Sequence, residues 1–164
     1  MKSRLAKDTL LIGAVSGIAA KLIQDLLGAI IIMFFLPSYL NCVRIAGGLL
    51  LTPEQVLSGM FWPTLLGLQI DMVVGVVVAI VAVLIFQHWG NDYYKIKGLM
   101  VGLIAWVLLY STLSRFLSSV HPSGSVLQAE LSFLTHIIFG LSLPSCIIWL
   151  RKFKNSNSHE TQPE

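Results

Sequence analysis

Five side chains able to carry charge or exchange hydrogen bonds, Lys21, Gln24, Asp25, Asp71 and His136, stand inside runs otherwise built largely of Leu, Ile, Val, Ala, Phe and Gly. One amine opposes two carboxylates, beside an imidazole that titrates near neutral pH. In hydrocarbon a lone carboxylate costs at least ~2.5 to 3.5 kcal/mol, so it must be protonated, hydrated or bound to a cation. The chemistry to expect is reversible binding of a proton or small cation. Asp71 is the leading candidate because its own helix offers no partner, while Gln24, Gln69 and His136 are placed to orient it. A plainer reading makes Lys21 and Asp25 an i, i+4 ion pair and His136 a hydrogen-bonded packing residue.

A second set, Arg115 and Glu130, suits an ion pair at the outer interface, and with His121 it is the only acid/base group near that surface. Cys42 and Cys146 show no CxxC or Cys/His spacing; Cys42 reads as a loop thiol and Cys146 as an apolar filler. There is no Walker loop, HExxH or GxSxG pattern, and nothing implies a cofactor or a metal.

The elements that must position these residues follow from composition. With 55% hydrophobic residues, 12% charged residues and 164 residues in all, a water-soluble fold would lack the interior to hide its apolar surface. Four apolar runs, at about 10–36, 64–86, 98–117 and 128–150, each suit a membrane-spanning helix of ~20 residues. They fill residues 1–153 as one domain, leaving 154–164 as a polar tail expected to be disordered. Thr52, Pro53 and Gln55 form a helix-start signature, so the second helix is expected to begin near Pro53 and bend at Pro63. Pro144 predicts a kink in the fourth. The net charge of +3 is spread over the flanks of these runs, which argues for topology signals and against nucleic acid.

Basic residues are retained on the cytoplasmic side. Lys2, Arg4, Lys7, Lys95, Lys97, Arg151, Lys152 and Lys154 fall on one side, Arg44 and Arg115 on the other, and Lys21 within a span, which accounts for all 11. The expected fold is therefore an all-α, polytopic membrane four-helix bundle with both ends in the cytoplasm.

Helical rotation of about 100° per residue sorts side chains onto faces. Gly13, Gly17, Lys21, Gln24, Asp25 and Gly28 share an arc of roughly 120° on the first span, opposite Ile12, Val15, Ala19, Leu22, Leu26 and Ile30. Thr64, Gly67, Asp71, Gly75 and Ala82 line one stripe of the second span. Gly98, Gly102, Ala105 and Thr112 do the same on the third. These stripes predict close helix packing, with aliphatic faces toward lipid. At 1.5 Å per residue, Lys21 and Asp25 straddle mid-span, and Asp71 and His136 lie roughly 5 to 6 Å outward in the same layer. Arg115 and Glu130 come out roughly 12 to 14 Å outward.

The Gly-rich first helix, the segment Arg44-Ile45-Ala46-Gly47, the opening Lys97-Gly98 followed by Gly102 and Trp106, and His136 on the fourth helix together resemble a loosely defined group of small four-helix membrane proteins of spore-forming and related Gram-positive bacteria. The resemblance covers most of the chain and implies a bacterial cytoplasmic membrane, but no substrate, cofactor or catalytic residue. The functional readings rank as a structural or accessory membrane subunit, then a small proton- or cation-coupled transporter or channel acting as an oligomer, then a membrane enzyme acting on lipid. The partners expected are the bilayer and either a second copy of the chain or another membrane protein.

Overall fold

The computed structural model describes residues 2–36, 39–120 and 125–159. All regular structure there is helical: α1 (Lys2–Phe34), α2 (Cys42–Gly47), α3 (Pro53–Leu57), α4 (Phe61–Trp89), α5 (Tyr94–Ala105), a π-helical segment (Trp106–Leu113), α6 (Ser114–Leu117) and α7 (Val126–His159). Four stretches are long and apolar enough to cross a membrane: Thr9–Phe34, Phe61–Trp89, Tyr94–Leu117 and Val126–Phe153. The protein is a polytopic membrane four-helix bundle.

α1 is the central strut, packed on α4 along one side and on α7 along another, while α7 also packs on α5. α4 and α5 touch little, so the bundle is nearly open between them. Small residues permit the close crossings. A Cβ on Gly17 would stand 2.7 Å from the Gly75 carbonyl oxygen and 2.9 Å from Val76 Cα, and one on Gly102 would stand 2.8 Å from Gly140 Cα. Gly13, Gly67, Gly75 and Gly98 are equally blocked, by Ile80, Val43, Lys21 and Pro144 in turn. Backbones approaching this closely gain dispersion contacts that larger residues would hold apart.

Several sequence expectations are corrected. Pro53 opens only the five-residue α3, which ends before Gly59 at φ +66, and the span restarts at Phe61 with Pro63 in its first turn rather than at a bend. Proline lacks only a donor that the first turn leaves unbonded anyway. The predicted capping contact is present, with Thr52 N–H donating to Gln55 Oε1 at 3.0 Å. α7 spans Val126–His159 with Pro144 inside it, so the helix runs past the expected start of the tail; no Gly or Pro stands between 145 and 159 to stop it. Residues 160–164 lie outside the described residues.

Thr64 and Thr112 also depart from their stripes, since both are exposed. For Thr112 the reason is the π-helical segment, whose i→i+5 bonds advance the chain by less rotation per residue than an α-helix and so turn position 112 off the face of Ala105.

The outward face of α1 (Val15, Leu22, Leu26) is exposed to the surroundings of the bundle, and Gly17 on the opposite side is fully enclosed. Gly17→Leu is therefore expected to destabilise the protein in detergent by about 3 kcal/mol through overpacking, and Val15→Leu by well under 1 kcal/mol. Equal melting temperatures for the two variants would contradict the packing seam.

Candidate functional site

The polar residues of α1 are set by rotation onto the face that meets α4 and α7, and Lys21, Gln24 and Asp25 are all buried there. Lys21 is 4% exposed, and its aliphatic stem runs where a Cβ on Gly75 would be, so the glycine of α4 makes room for it. The ammonium group reaches across to α4. Nζ lies 2.6 Å from Asp71 Oδ2, 3.5 Å from Asp25 Oδ1, and donates to Gln24 Oε1 at 2.8 Å. One hydrogen bond and two ion-pair contacts surround the ammonium. The closest partner of Lys21 is thus the carboxylate of the neighbouring helix rather than the i+4 residue of its own. A helical side chain pointing sideways into a crossing helix meets that helix before it can turn back along its own axis.

On the far side Nζ sits 5.9 Å from the centroid of the Phe139 ring, within reach of a cation–π attraction. Asp25 Oδ2 is buried and accepts no hydrogen bond from the described residues. Both carboxylates bracket one ammonium, so the cluster holds one more carboxylate than cation.

His136 enters the layer from α7, 6% exposed. Its Nδ1 lies 2.8 Å from the Ser132 carbonyl oxygen. A carbonyl only accepts, so Nδ1 carries the hydrogen and Nε2 of the neutral ring is left as an acceptor. The Tyr110 ring meets the imidazole edge-on at 5.8 Å between centroids.

The segment between α1 and α4 supplies a residue that was read as an ordinary loop thiol. Asn41 caps α2, accepting from Arg44 N–H at 3.0 Å, and the helix folds back against α4 where Gly67 has no side chain. This brings Cys42 into the layer, 3.6 Å from Gln24 Nε2 and 4.0 Å from His136 Nε2. Burial pushes the Cys42 thiol up to about 12, and it pushes the nearby Tyr39 hydroxyl up as well, so both stay protonated at neutral pH. Arg44 stays at the rim, donating to the Tyr39 carbonyl at 2.8 Å. The signal in the sequence was the run Cys42–Leu51, which is too apolar for a plain surface loop.

Other expected members fall elsewhere. Gln69 is exposed and does not face Asp71. Arg115 and Glu130 are both exposed, and among the described residues the ion pairs are those of Lys21, so the rim pair does not form. Two long side chains in a polar interface gain too little from pairing to hold one geometry. His121 lies outside the described residues.

Above the ion pair a cavity of about 130 Å³ is lined by Lys21, Gln24 and Cys42, by Asp71 and Val78 of α4, by Leu109 and Tyr110 of the π-helical segment, and by His136 and Phe139 of α7. It fills the gap left where α4 and α5 fail to close. Below the layer the interior is sealed by Ala20, Ala79, Val83, Phe86, Leu143 and Ile147, each at most 2% exposed. Comparison with protein-family models, curated proteins and solved structures finds no match for this chain.

The geometry ranks the two carboxylates. Asp71→Asn strips Lys21 of its 2.6 Å partner and is expected to cost about 3 to 5 kcal/mol, the range for breaking a buried pair. Asp25→Asn leaves that pair intact and should cost less than half as much. Denaturation of both variants in the same detergent checks this, and a larger loss for Asp25→Asn would overturn the assignment.

Proposed function

We propose that this chain is a structural or accessory subunit of the bacterial cytoplasmic membrane, with both ends in the cytoplasm, in which the Lys21 cluster fixes the register of α1 against α4. The observation that carries the reading is the 2.6 Å contact between Lys21 Nζ and Asp71 Oδ2. A carboxylate held by an ammonium from the next helix is committed to holding that helix. Shifting α1 along α4 by one turn, ~5.4 Å, would carry Lys21 and Asp25 away together and leave the Asp71 carboxylate without its cation in a low-dielectric interior, so the pair favours one register.

The apolar seal below the layer supports the same reading. A hydrated ion or proton path through a single bundle would have to cross side chains packed without exposed surface, from Val83 and Phe86 to Ile147. Outward, Leu26, Val73, Met100 and Leu108 present an aliphatic surface suited to lipid or to partner helices. The cytoplasmic placement of both ends is supported by the eight basic residues that share one side. An enzyme acting on lipid has less support, because Arg115 and Glu130 are exposed and unpaired with each other among the described residues.

One observation favours a second reading, a proton or cation carrier acting as an oligomer. Asp25 Oδ2 is buried without a hydrogen-bond partner among the described residues, and the cluster has one carboxylate in excess, which a proton or cation would balance.

Two measurements test these readings. Protein reconstituted in liposomes should dissipate an imposed pH or potassium gradient no faster than empty liposomes. Flux that vanishes in Asp25→Asn would replace the structural reading with the carrier. Reporter fusions after Asp92 and Lys154 should read cytoplasm and a fusion at Glu54 the outside; a cytoplasmic signal at Glu54 would refute the orientation.

A further inference from the structure

We propose that the cavity between α4 and the π-helical segment is a binding site for a neutral, lipid-soluble molecule bearing a hydroxylated six-membered ring, with its hydroxyl donated to His136 Nε2.

Size sets the first limit. About 130 Å³ is slightly less than the roughly 150 Å³ apolar cavity that takes up benzene, so one ring fits and a second does not. Access sets the next. The cavity lies where α4 and α5 barely touch, and Leu49 and Leu117 at its border are exposed, so an apolar tail has a way out toward lipid. The walls, Ile45, Val74, Val78, Leu109 and Phe139, offer only hydrocarbon.

The floor decides the headgroup. Lys21 Nζ donates to Gln24 and lies 2.6 and 3.5 Å from the Asp71 and Asp25 carboxylates, so a neutral ligand would have to compete with two charged partners for it. His136 Nε2 is an acceptor on a side chain 94% removed from solvent contact, since the residue is 6% exposed. Its polar contact is the Cys42 sulfur at 4.0 Å, and a thiol is a weak donor. A hydroxyl donor in place of that weak thiol contact would make a stronger hydrogen bond. Charge excludes the other headgroups. Lys21 and Asp71 cancel at the floor, and Asp25 does not line the cavity, so neither an anion nor a cation finds a counter-charge.

The eight-residue π-helical stretch forms the wall facing α4. Such stretches are rare and concentrate at functional sites, because the widened turn re-aims side chains. Here it places Tyr110 edge-on against the His136 ring, and both residues line the cavity together with Cys42, the neighbour of Nε2. This inference does not depend on whether the bundle also carries ions.

The test uses the full chain in lipid nanodiscs, labelled with ¹⁵N at histidine, and compares 4-butylphenol, butylbenzene and 4-butylbenzylamine against empty nanodiscs. The phenol should bind at least tenfold more tightly than butylbenzene, the worth of one buried hydrogen bond, and should move the Nε2 resonance of His136. His136→Phe should abolish the preference while leaving butylbenzene binding in place, and Val78→Phe should exclude both. Equal binding of phenol and hydrocarbon, tighter binding of the amine, or binding that leaves His136 Nε2 unmoved would each overturn the proposal. The wild-type comparison decides the matter even if a variant fails to fold.

Discussion

The structure depends on holding one ammonium group in hydrocarbon. Lys21 cannot reach water from 4% exposure, so as an ammonium it needs a carboxylate brought to it by the fold. Asp71 meets that requirement only if α1 and α4 approach closely. That approach is possible because Gly17 faces the Gly75 carbonyl and Gly75 leaves room for the Lys21 stem. Charge placement and small-residue placement are therefore one constraint: the glycines let the ion pair close, and the ion pair selects the register in which the glycines face each other.

The same layer explains two irregular features. The connection between α1 and α4 does not stay outside the bundle; α2 folds inward against Gly67 and covers the outer side of the polar layer with Cys42 and Ile45. The third span abandons α-helical geometry over Trp106–Leu113 beside that layer. Its side chains are thereby redirected, with Trp106 Nε1–H donating to Ser132 Oγ at 3.1 Å and Tyr110 set against His136. Between this segment and α4 the bundle leaves a cavity instead of a packed seam, and the cavity has a polar floor only because the ion pair and His136 form it.

Much of this was legible in the sequence. The four apolar runs and the polar arc of α1 follow from hydropathy and a 3.6-residue period, and Gly13, Gly17, Lys21, Gln24, Asp25 and Gly28 are all buried on one side. What periodicity could not supply was partner choice between helices. The i, i+4 spacing of Lys21 and Asp25 suggested a pair within α1, whereas rotation of α4 about its axis, which no single helix encodes, brings Asp71 closer. Cys42 was hidden because a short apolar segment between spans reads as a loop until its packing on Gly67 is known. The π-helical segment was hidden for a different reason: WVLLYSTL is an acceptable α-helical sequence, and its contacts with Ser132 and Gln128 of another helix are not encoded in its own periodicity. At Pro53 the helix-start signature was read correctly, but the helix it opens is cut short at Gly59, where positive φ ends it.

The claim on which the rest stands is that Lys21 and Asp71 are energetically one unit. The direct measurement is a double-mutant cycle of unfolding free energy in detergent with Lys21→Met, Asp71→Leu and the combined variant. If the pair is a buried interhelical ion pair, each single change removes the closest partner of the other residue, and the loss in the double variant should fall short of the sum of the single losses, with a coupling of about 2 kcal/mol or more. Losses that simply add would contradict the account, because they would mean that the two residues reach their partners independently and that the register of α1 on α4 is set by something else.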